Sequence, residues 1–336
     1  MFVRKLAVIL FVGASVAFAQ QQQQQEKKPE YTTYTTVDSA PKQYKLQGEY
    51  EGRHGNLVNG VQVIALGKDG MRAVFFGGGL PGKGWNGEDK VENKGVFDGD
   101  KVVFTRPESP NFRFVLENGK ASITSQRGEL FELHKVDRQS ETTGARPPQG
   151  AVVLFDGKNA DAWNGGKMDE RGLLMVGCTS KQSFKDFTLH LEFILPFMPD
   201  ARGQARGNSG VYLQNRYEVQ VLDSFGLTGE DNECGGIYRA AKPLVNMCLP
   251  PLVWQTYDVD FTMSRFDGPG KKVKNAVTTI RHNGIVIHKD LELADKSGGG
   301  KPETAEGGPI HLQNHGNPVF FRNVWVVEKA GVAAAE

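Results

Sequence analysis

Hydrophobic and polar positions alternate with a period of two along most of the chain, the mark of strands that bury one face. Between residues 44 and 138 the segments Gly60–Leu66, Met71–Phe76, Lys101–Phe104, Phe112–Leu116 and Leu130–Leu133 read this way. The pairs Asp69-Gly70, Asn86-Gly87, Asp98-Gly99 and Asn118-Gly119 fall between them as turns. Such spacing predicts a small antiparallel β-sandwich or barrel. Gly77-Gly78-Gly79 reads as a loop, because neither a helical pattern nor a Lys-Ser/Thr pair follows it as in a phosphate cradle. From Ala151 nine further segments alternate: Val152–Phe155, Thr188–Leu195, Gly210–Gln214, Tyr217–Leu222, Thr256–Phe261, Ala276–Arg281, Ile285–His288, Ile310–Gln313 and Val319–Trp325. Helical periodicity is almost absent, which predicts an all-β chain with two packed antiparallel sheets in its second half. Asn283-Gly284 predicts a hairpin between Ile280 and Ile285.

The pattern lapses in four places. Arg4 and Lys5 precede an apolar run, Leu6 to Phe18, that ends in Ala17-Phe18-Ala19, so residues 1–19 are expected to be a cleaved signal peptide. The run is shorter than the roughly 18 residues of a spanning helix. Residues 20–43, opening with Gln20 to Gln25, are expected to be a disordered tether. Residues 139–150, with Ser140, Thr142, Thr143, Gly144, Pro147 and Pro148, have the composition of a linker, and 330–336 that of a frayed tail. The expected division is therefore a leader, a tether, a small β domain at 44–138, a linker, and a larger β domain at 151–329. With no other apolar span, a secreted or periplasmic protein without a membrane anchor after processing is expected.

Charge removes some partners from consideration. The 40 basic and 39 acidic side chains leave +1, and loss of Arg4 and Lys5 gives 38 − 39 = −1, so nucleic acid is not an expected partner. The 41 glycines fit a fold rich in turns.

Alternation also identifies what each strand turns away from the core. Leu189, Leu191 and Phe193 point inward and leave His190 and Glu192 on the other face; Tyr212, Gln214, Glu218 and Gln220 are left likewise by Val211, Leu213, Val219 and Val221. The strand at 310 adds His311 and Gln313, followed by Asn314, His315 and Asn317. The outer face of any antiparallel sheet is polar. This one is poor in lysine and rich in amides, carboxylates and imidazoles, which suits a polyhydroxylated ligand. Arg202 and Arg206, in a Gly-rich loop before Asn208, are placed either to clamp an oxyanion or to meet water.

Three cysteines in an exported chain leave one unpaired. Cys234 and Cys248 enclose 13 residues around a Gly-Gly pair and are the expected disulfide, with two free thiols as the alternative. Cys178 reads as a small buried residue. No HExxH, zinc-type Cys/His spacing or GxSxG occurs.

A family resemblance rests on Leu154-Phe155-Asp156-Gly157-Lys158 with Trp163, on Asp186 to Phe193, and on Arg206-Gly207-Asn208-Ser209-Gly210 running through Gln214 to Asp223. Cys234-Gly235-Gly236-Ile237-Tyr238, Trp254 to Asp258, Leu312 to Pro318 and Phe321-Arg322-Asn323 continue it. Together these segments, from about Ala151 to Glu328, resemble the 3-keto-disaccharide hydrolase domain family. The resemblance implies a concanavalin A-like jelly-roll sandwich, here preceded by a small antiparallel β domain, and a carbohydrate substrate oxidised at sugar carbon 3. It also implies roles for individual residues. Glu218 and His315 become the acid–base pair, and Arg206 with Asn208 the oxyanion holders. Glu192, Gln214, Gln220 and Gln313 become hydroxyl ligands, with His190 and Tyr212 at the same site. Asp223 orients a partner or caps a turn, and Tyr238 and Trp254 offer a stacking platform or, for Trp254, core packing. A divalent cation such as calcium is an alternative oxyanion stabiliser, although no ligand spacing demonstrates one. Cys178, where a polar residue is expected, and Asn314, where many relatives carry Asp, depart from the family pattern. A non-catalytic lectin or a cell-surface interaction protein remains the alternative.

Overall fold

The computed structural model describes residues 30–329 apart from Asn118. The leader at 1–19, the glutamine tract, the tail at 330–336 and the first residue of the Asn118-Gly119 turn lie outside the described residues. After a short helix, α1 (Lys42–Leu46), eight strands close an antiparallel barrel in sequence order: β1 (Gly48–His54), β2 (Leu57–Ala65), β3 (Met71–Gly77), β4 (Lys90–Asp98), β5 (Lys101–Arg106), β6 (Ser109–Glu117), β7 (Lys120–Thr124) and β8 (Leu130–Val136). Glu49 pairs with Val136 to complete the ring, which leaves no free edge among these strands. Val61, Val63, Ala73, Val102, Phe104, Phe114 and Leu116 are among the residues that fill it.

The second half begins with β9 (Val152–Phe155), β10 (Trp163–Asn164), β11 (Leu174–Met175), β12 (Cys178–Phe184), β13 (Phe187–Ile194), β14 (Ser209–Leu213) and β15 (Tyr217–Val221). It continues with β16 (Trp254–Thr262), β17 (Arg265–Phe266), β18 (Lys272–Lys274), β19 (Ala276–His282), β20 (Ile285–Leu293), β21 (Gly308–Leu312) and β22 (Phe320–Glu328). A front sheet, in the order β10-β12-β21-β14-β15, packs on a back sheet ordered β11-β22-β13-β16-β19-β20, with β9 beside β22. Leu189, Leu191 and Phe193 from the back sheet and Val211, Leu213, Val219 and Val221 from the front sheet share one buried core. The expected hairpin is present: His282 pairs with Ile285, and Asn283 and Gly284 both take positive φ, 53° and 85°, as a type I′ turn requires.

Barrel and sandwich form one compact unit. Ile64, Val74 and Phe76, on the outside of β2 and β3, are buried in the sandwich core, while Phe197 and Leu252 from sandwich loops join the barrel core. The stretch expected to be a linker is pinned to the back sheet. Ser140 Oγ lies 2.6 Å from Thr256 Oγ1, and Thr142 donates to Asp258 at 2.6 Å. Side-chain hydrogen bonds of this kind were invisible to a compositional reading. The later part of the expected tether is likewise fixed, because Tyr34 exchanges backbone hydrogen bonds with Phe197 at 3.0 and 2.9 Å.

Cys234 and Cys248, expected as a disulfide, are free thiols buried in the sandwich core. Cys234 Sγ lies 3.2 Å from Tyr257 Oη, and Cys248 donates toward the Leu222 and Leu249 carbonyls at 3.6 and 3.5 Å. Burial, reinforced by the neighbouring Cys234, holds the Cys248 thiol well above its ordinary value and therefore protonated. Cys178 is buried as expected, its thiol pushed up to about 12 by desolvation.

Candidate active site

The front sheet carries a continuous polar row across four strands. Thr179 in β12 pairs with His311 in β21, His311 with Tyr212 in β14, and Tyr212 with Glu218 in β15. Because residues in register lie on one face, the four side chains stand side by side on the surface away from the core. The Tyr212 and His311 rings are 5.5 Å apart between centroids. Tyr212 Oη donates to Glu218 Oε2 at 2.7 Å and accepts from Gln313 Nε2 at 3.2 Å and the Gly299 amide at 3.3 Å.

Burial shapes the protonation of each member. Desolvation raises Glu218 above the usual carboxyl value, and the hydrogen bond from Tyr212 offsets part of that. Desolvation and the Glu218 contact raise the Tyr212 phenol, so it remains a donor. His311 is pushed below the ordinary imidazole value by burial, against a hydrogen bond to a backbone carbonyl, and is neutral at pH 7. That carbonyl, Cys178 O at 3.1 Å from Nδ1, can only accept. The proton is thereby assigned to Nδ1, with Thr179 Oγ1 also 2.9 Å away, and Nε2 keeps the lone pair. The row thus offers a neutral base and a carboxyl–phenol pair on either side of one ring.

A glycine strap covers one end. A Cβ on Gly298, whose φ is +55°, would lie 2.1 Å from Glu218 Oε2, and one on Gly210 would lie 2.5 Å from Oε1. Only glycine lets backbone approach the carboxylate this closely. Tyr212 and Glu218 are each 3% exposed beneath the strap, while Thr179, His311, Gln313 and Tyr238 are partly accessible. The Tyr238 amide donates to the Glu218 carbonyl at 3.1 Å, which sets its side chain beside the row.

Several residues nominated from sequence lie elsewhere. His190 and Glu192 are on the outer face of the back sheet, opposite the row. There His190 Nδ1 is 2.6 Å from Asp258, and Glu192 accepts from Gly144 N, Asn323 and Arg322 at 2.6, 2.9 and 2.7 Å. Trp254 is on that face too, with the Arg322 guanidinium 3.8 Å over its ring. Strand alternation says that a residue leaves the core but not on which of two sheets, and this separated the set.

Arg206 does not face the row. Its Nε donates to Asp223 at 2.6 Å, both side chains are buried, and its Nη1 reaches the barrel carbonyl of Ala65 at 3.4 Å, so the pair joins sandwich to barrel. Asn208 is held between Gln204 O at 2.7 Å and Gln220 Nε2 at 2.8 Å. Gln214 caps the end of β14 by donating to the Phe184 and Lys185 carbonyls at 2.8 and 3.0 Å. His315 is exposed in the loop after β21. Thr179 was not nominated from sequence, and His315, nominated for the acid–base role, is not a member of the row; register against β12 and β21 is what brings Thr179 and His311 into it. Among the described residues no three His, Cys, Asp or Glu side chains gather as a metal site.

Residues 150–327, 178 of the 336, match the family model described as a 3-keto-alpha-glucoside-1,2-lyase-like domain. Among solved structures the chain is similar to a candidate glycosyl hydrolase from Parabacteroides distasonis at 33% identity and a TM-score of 0.50, over 54% of this chain and 85% of that one. A second candidate glycosyl hydrolase from that organism shares 17% identity at a TM-score of 0.39, over 54% of this chain and 95% of the other. No curated protein matches the chain.

Proposed function

We propose, for a chain that belongs to the 3-keto-alpha-glucoside-1,2-lyase-like domain family, that the front face cleaves glycosides bearing a ketone at sugar carbon 3 by eliminating the substituent at carbon 1. The reading is carried by the Thr179–His311–Tyr212–Glu218 row, where a neutral imidazole and a protonated phenol backed by a carboxyl flank one position. A ketone at carbon 3 acidifies the hydrogen on carbon 2. His311 Nε2, the accessible lone pair, takes that proton, and the electron pair left on carbon 2 forms an enediolate. Collapse of the enediolate breaks the bond from carbon 1 to the leaving oxygen. That oxygen takes the Tyr212 hydroxyl proton as it turns away from Glu218, and Glu218, in the protonated form that burial favours, returns a proton to the phenolate. The product is an unsaturated ketone, and addition of water across its double bond completes hydrolysis. Stabilising charge on the carbon 3 oxygen requires a donor, and the Gln313 amide beside Tyr212 supports that role. With Tyr212 and Glu218 buried beneath the Gly298 strap, this reading requires the strap to move aside for substrate. This route differs from the two-carboxylate mechanism, which develops an oxocarbenium ion.

The apolar leader pattern supports action outside the cytoplasm, secreted or periplasmic. Near-complete burial of Glu218 favours one competing reading, carbohydrate binding without turnover. Purified protein incubated with 3-keto-glucosides carrying nitrophenyl or alkyl leaving groups, with and without calcium, separates the two. Release of both is expected. His311→Asn should abolish both, whereas Glu218→Gln should slow the alkyl glycoside far more than the nitrophenyl one, which needs no acid. Binding without release from any substrate would leave the lectin reading.

A further inference from the structure

On the other side of the sandwich, the barrel and the back sheet enclose a cleft of about 520 Å³, within the range of small-molecule sites. Gln47, just before β1, and Thr143, in the connection, both line it, and each carries a buried polar atom with no hydrogen-bond partner: Gln47 Nε2 and Thr143 Oγ1. Gln47 is only 2% exposed. Its Oε1 accepts from the Ala65 amide at 2.9 Å, which fixes the orientation of the side-chain amide and leaves Nε2 as an unused donor. An unpaired buried donor costs about 1–3 kcal/mol, and native structures retain few.

The chemistry of the remaining wall narrows the ligand. Arg322 engages Glu192 through Nε, so its Nη nitrogens are the donors it has left. Glu49, the buried carboxylate in the wall, is engaged and its charge neutralised: Arg138 donates to both oxygens at 2.5 Å and Gln62 to Oε1 at 2.9 Å. The exposed Lys135 and Asp137 on the rim oppose each other in charge. The unused groups are therefore predominantly donors. A sugar hydroxyl both donates and accepts, whereas a carboxylate only accepts. Tyr44 adds flat apolar surface suited to the C–H face of a pyranose, while the Trp254 ring, with Arg322 3.8 Å over it, holds that guanidinium at the cleft.

We propose that this cleft binds an acidic sugar, a uronate, with its carboxylate drawn to Gln47, Thr143 and Arg322 and its ring against Tyr44. The site uses no residue of the Glu218 row and stands independently of the activity proposed there.

The test follows the Trp254 indole N–H signal of the full chain by NMR, assigned by its loss in Trp254→Phe, during titration with glucuronate, glucose and acetate. Saturable binding of glucuronate at millimolar concentrations is expected, at least tenfold tighter than either glucose or acetate. Gln47→Glu keeps the acceptor for the Ala65 amide but replaces the donor with a carboxylate, and should weaken glucuronate more than tenfold. Thr143→Val should weaken it several-fold and serves if the first variant does not fold. Absence of saturable binding, equal response to glucose or to acetate, or titrations unmoved by the variants would overturn the proposal. Glu218→Gln should leave every titration unchanged, which separates failure here from failure of the catalytic reading.

Discussion

Replacing Tyr212 by Phe removes one oxygen that holds three partners: the Glu218 carboxyl, the Gln313 amide and the Gly299 N–H. A hydrogen bond to an ionised group contributes about 1.5–3 kcal/mol and one between neutral groups about 0.5–1.5 kcal/mol. The loss should therefore exceed that of a neutral contact by roughly 1 kcal/mol whenever Glu218 is charged. The sign with pH follows from burial. Glu218 is raised in the folded state, so its contribution to stability is full below the ordinary carboxyl value and is lost as pH rises through the folded value. The Tyr212 hydroxyl limits that loss by favouring the ionised form. Without it, the difference in Tm between wild type and Tyr212→Phe should widen from pH 4 to pH 8, at about 2–4 °C per kcal/mol. Thermal unfolding of both proteins across this range is the assay. A difference that stays constant or narrows with pH would refute the coupling of Tyr212 to Glu218. The same variant should lower turnover of alkyl 3-keto-glycosides by about 10²–10⁴, the usual range for a lost general acid, and affect nitrophenyl glycosides less.

Behind the sandwich, burial opposes ionisation of Glu192, but His190, Asn323, the Gly144 amide and Arg322 overcome it and hold the carboxyl at about 2. Its contribution is thus present above the ordinary carboxyl value and lost as pH falls toward 2, while burial of His190, which lowers it, is outweighed by Asp258 and Glu192, so that contribution fades as pH rises through the folded histidine value. Denaturant titrations should show Glu192→Gln less stable by about 3 kcal/mol near pH 6, with the gap closing near pH 2. Arg206→Met leaves Asp223 buried without its partner and should cost about 3–5 kcal/mol, largely recovered in the Arg206→Met, Asp223→Leu double variant. Turnover by the folded protein should stay within about twofold; a large fall in kcat at unchanged stability would restore the oxyanion role. Thiol titration of the denatured chain without reductant should count three thiols, in keeping with the free cysteines, whereas one would indicate a Cys234–Cys248 bridge.

Period-two alternation carried most of the fold, because it records burial on one face and that is what a sheet needs. All nine segments read from Ala151 onward became strands. β12 was missed: its pairing with β21 shifts between Thr179 and Ser183, and the irregularity blurs the alternation that would have revealed Thr179. In the barrel, β1, β4 and β7 escaped: Glu, Gly, Arg, Asn and Lys dominate the first two, whose place is set by neighbouring strands rather than by their own pattern, and β7 is only five residues long. The site was legible in residue type but not in grouping. Tyr212, Glu218 and Gln313 were identified and do adjoin, whereas His190 and Glu192 obey the same local rule on the other sheet. Arg206 and Asp223 have the chemistry of a catalytic pair and instead fasten two cores together, a use fixed by the distant Ala65 carbonyl.

Elimination at carbon 2 makes one demand that no oxocarbenium route shares: the hydrogen on that carbon must leave. A 3-keto-glucoside labelled with deuterium at carbon 2 and carrying a good leaving group tests this directly. The account predicts a primary isotope effect on kcat/KM, loss of the label to solvent, and no turnover in His311→Asn. Cleavage with the deuterium retained and rates equal to those of the unlabelled glycoside would contradict it.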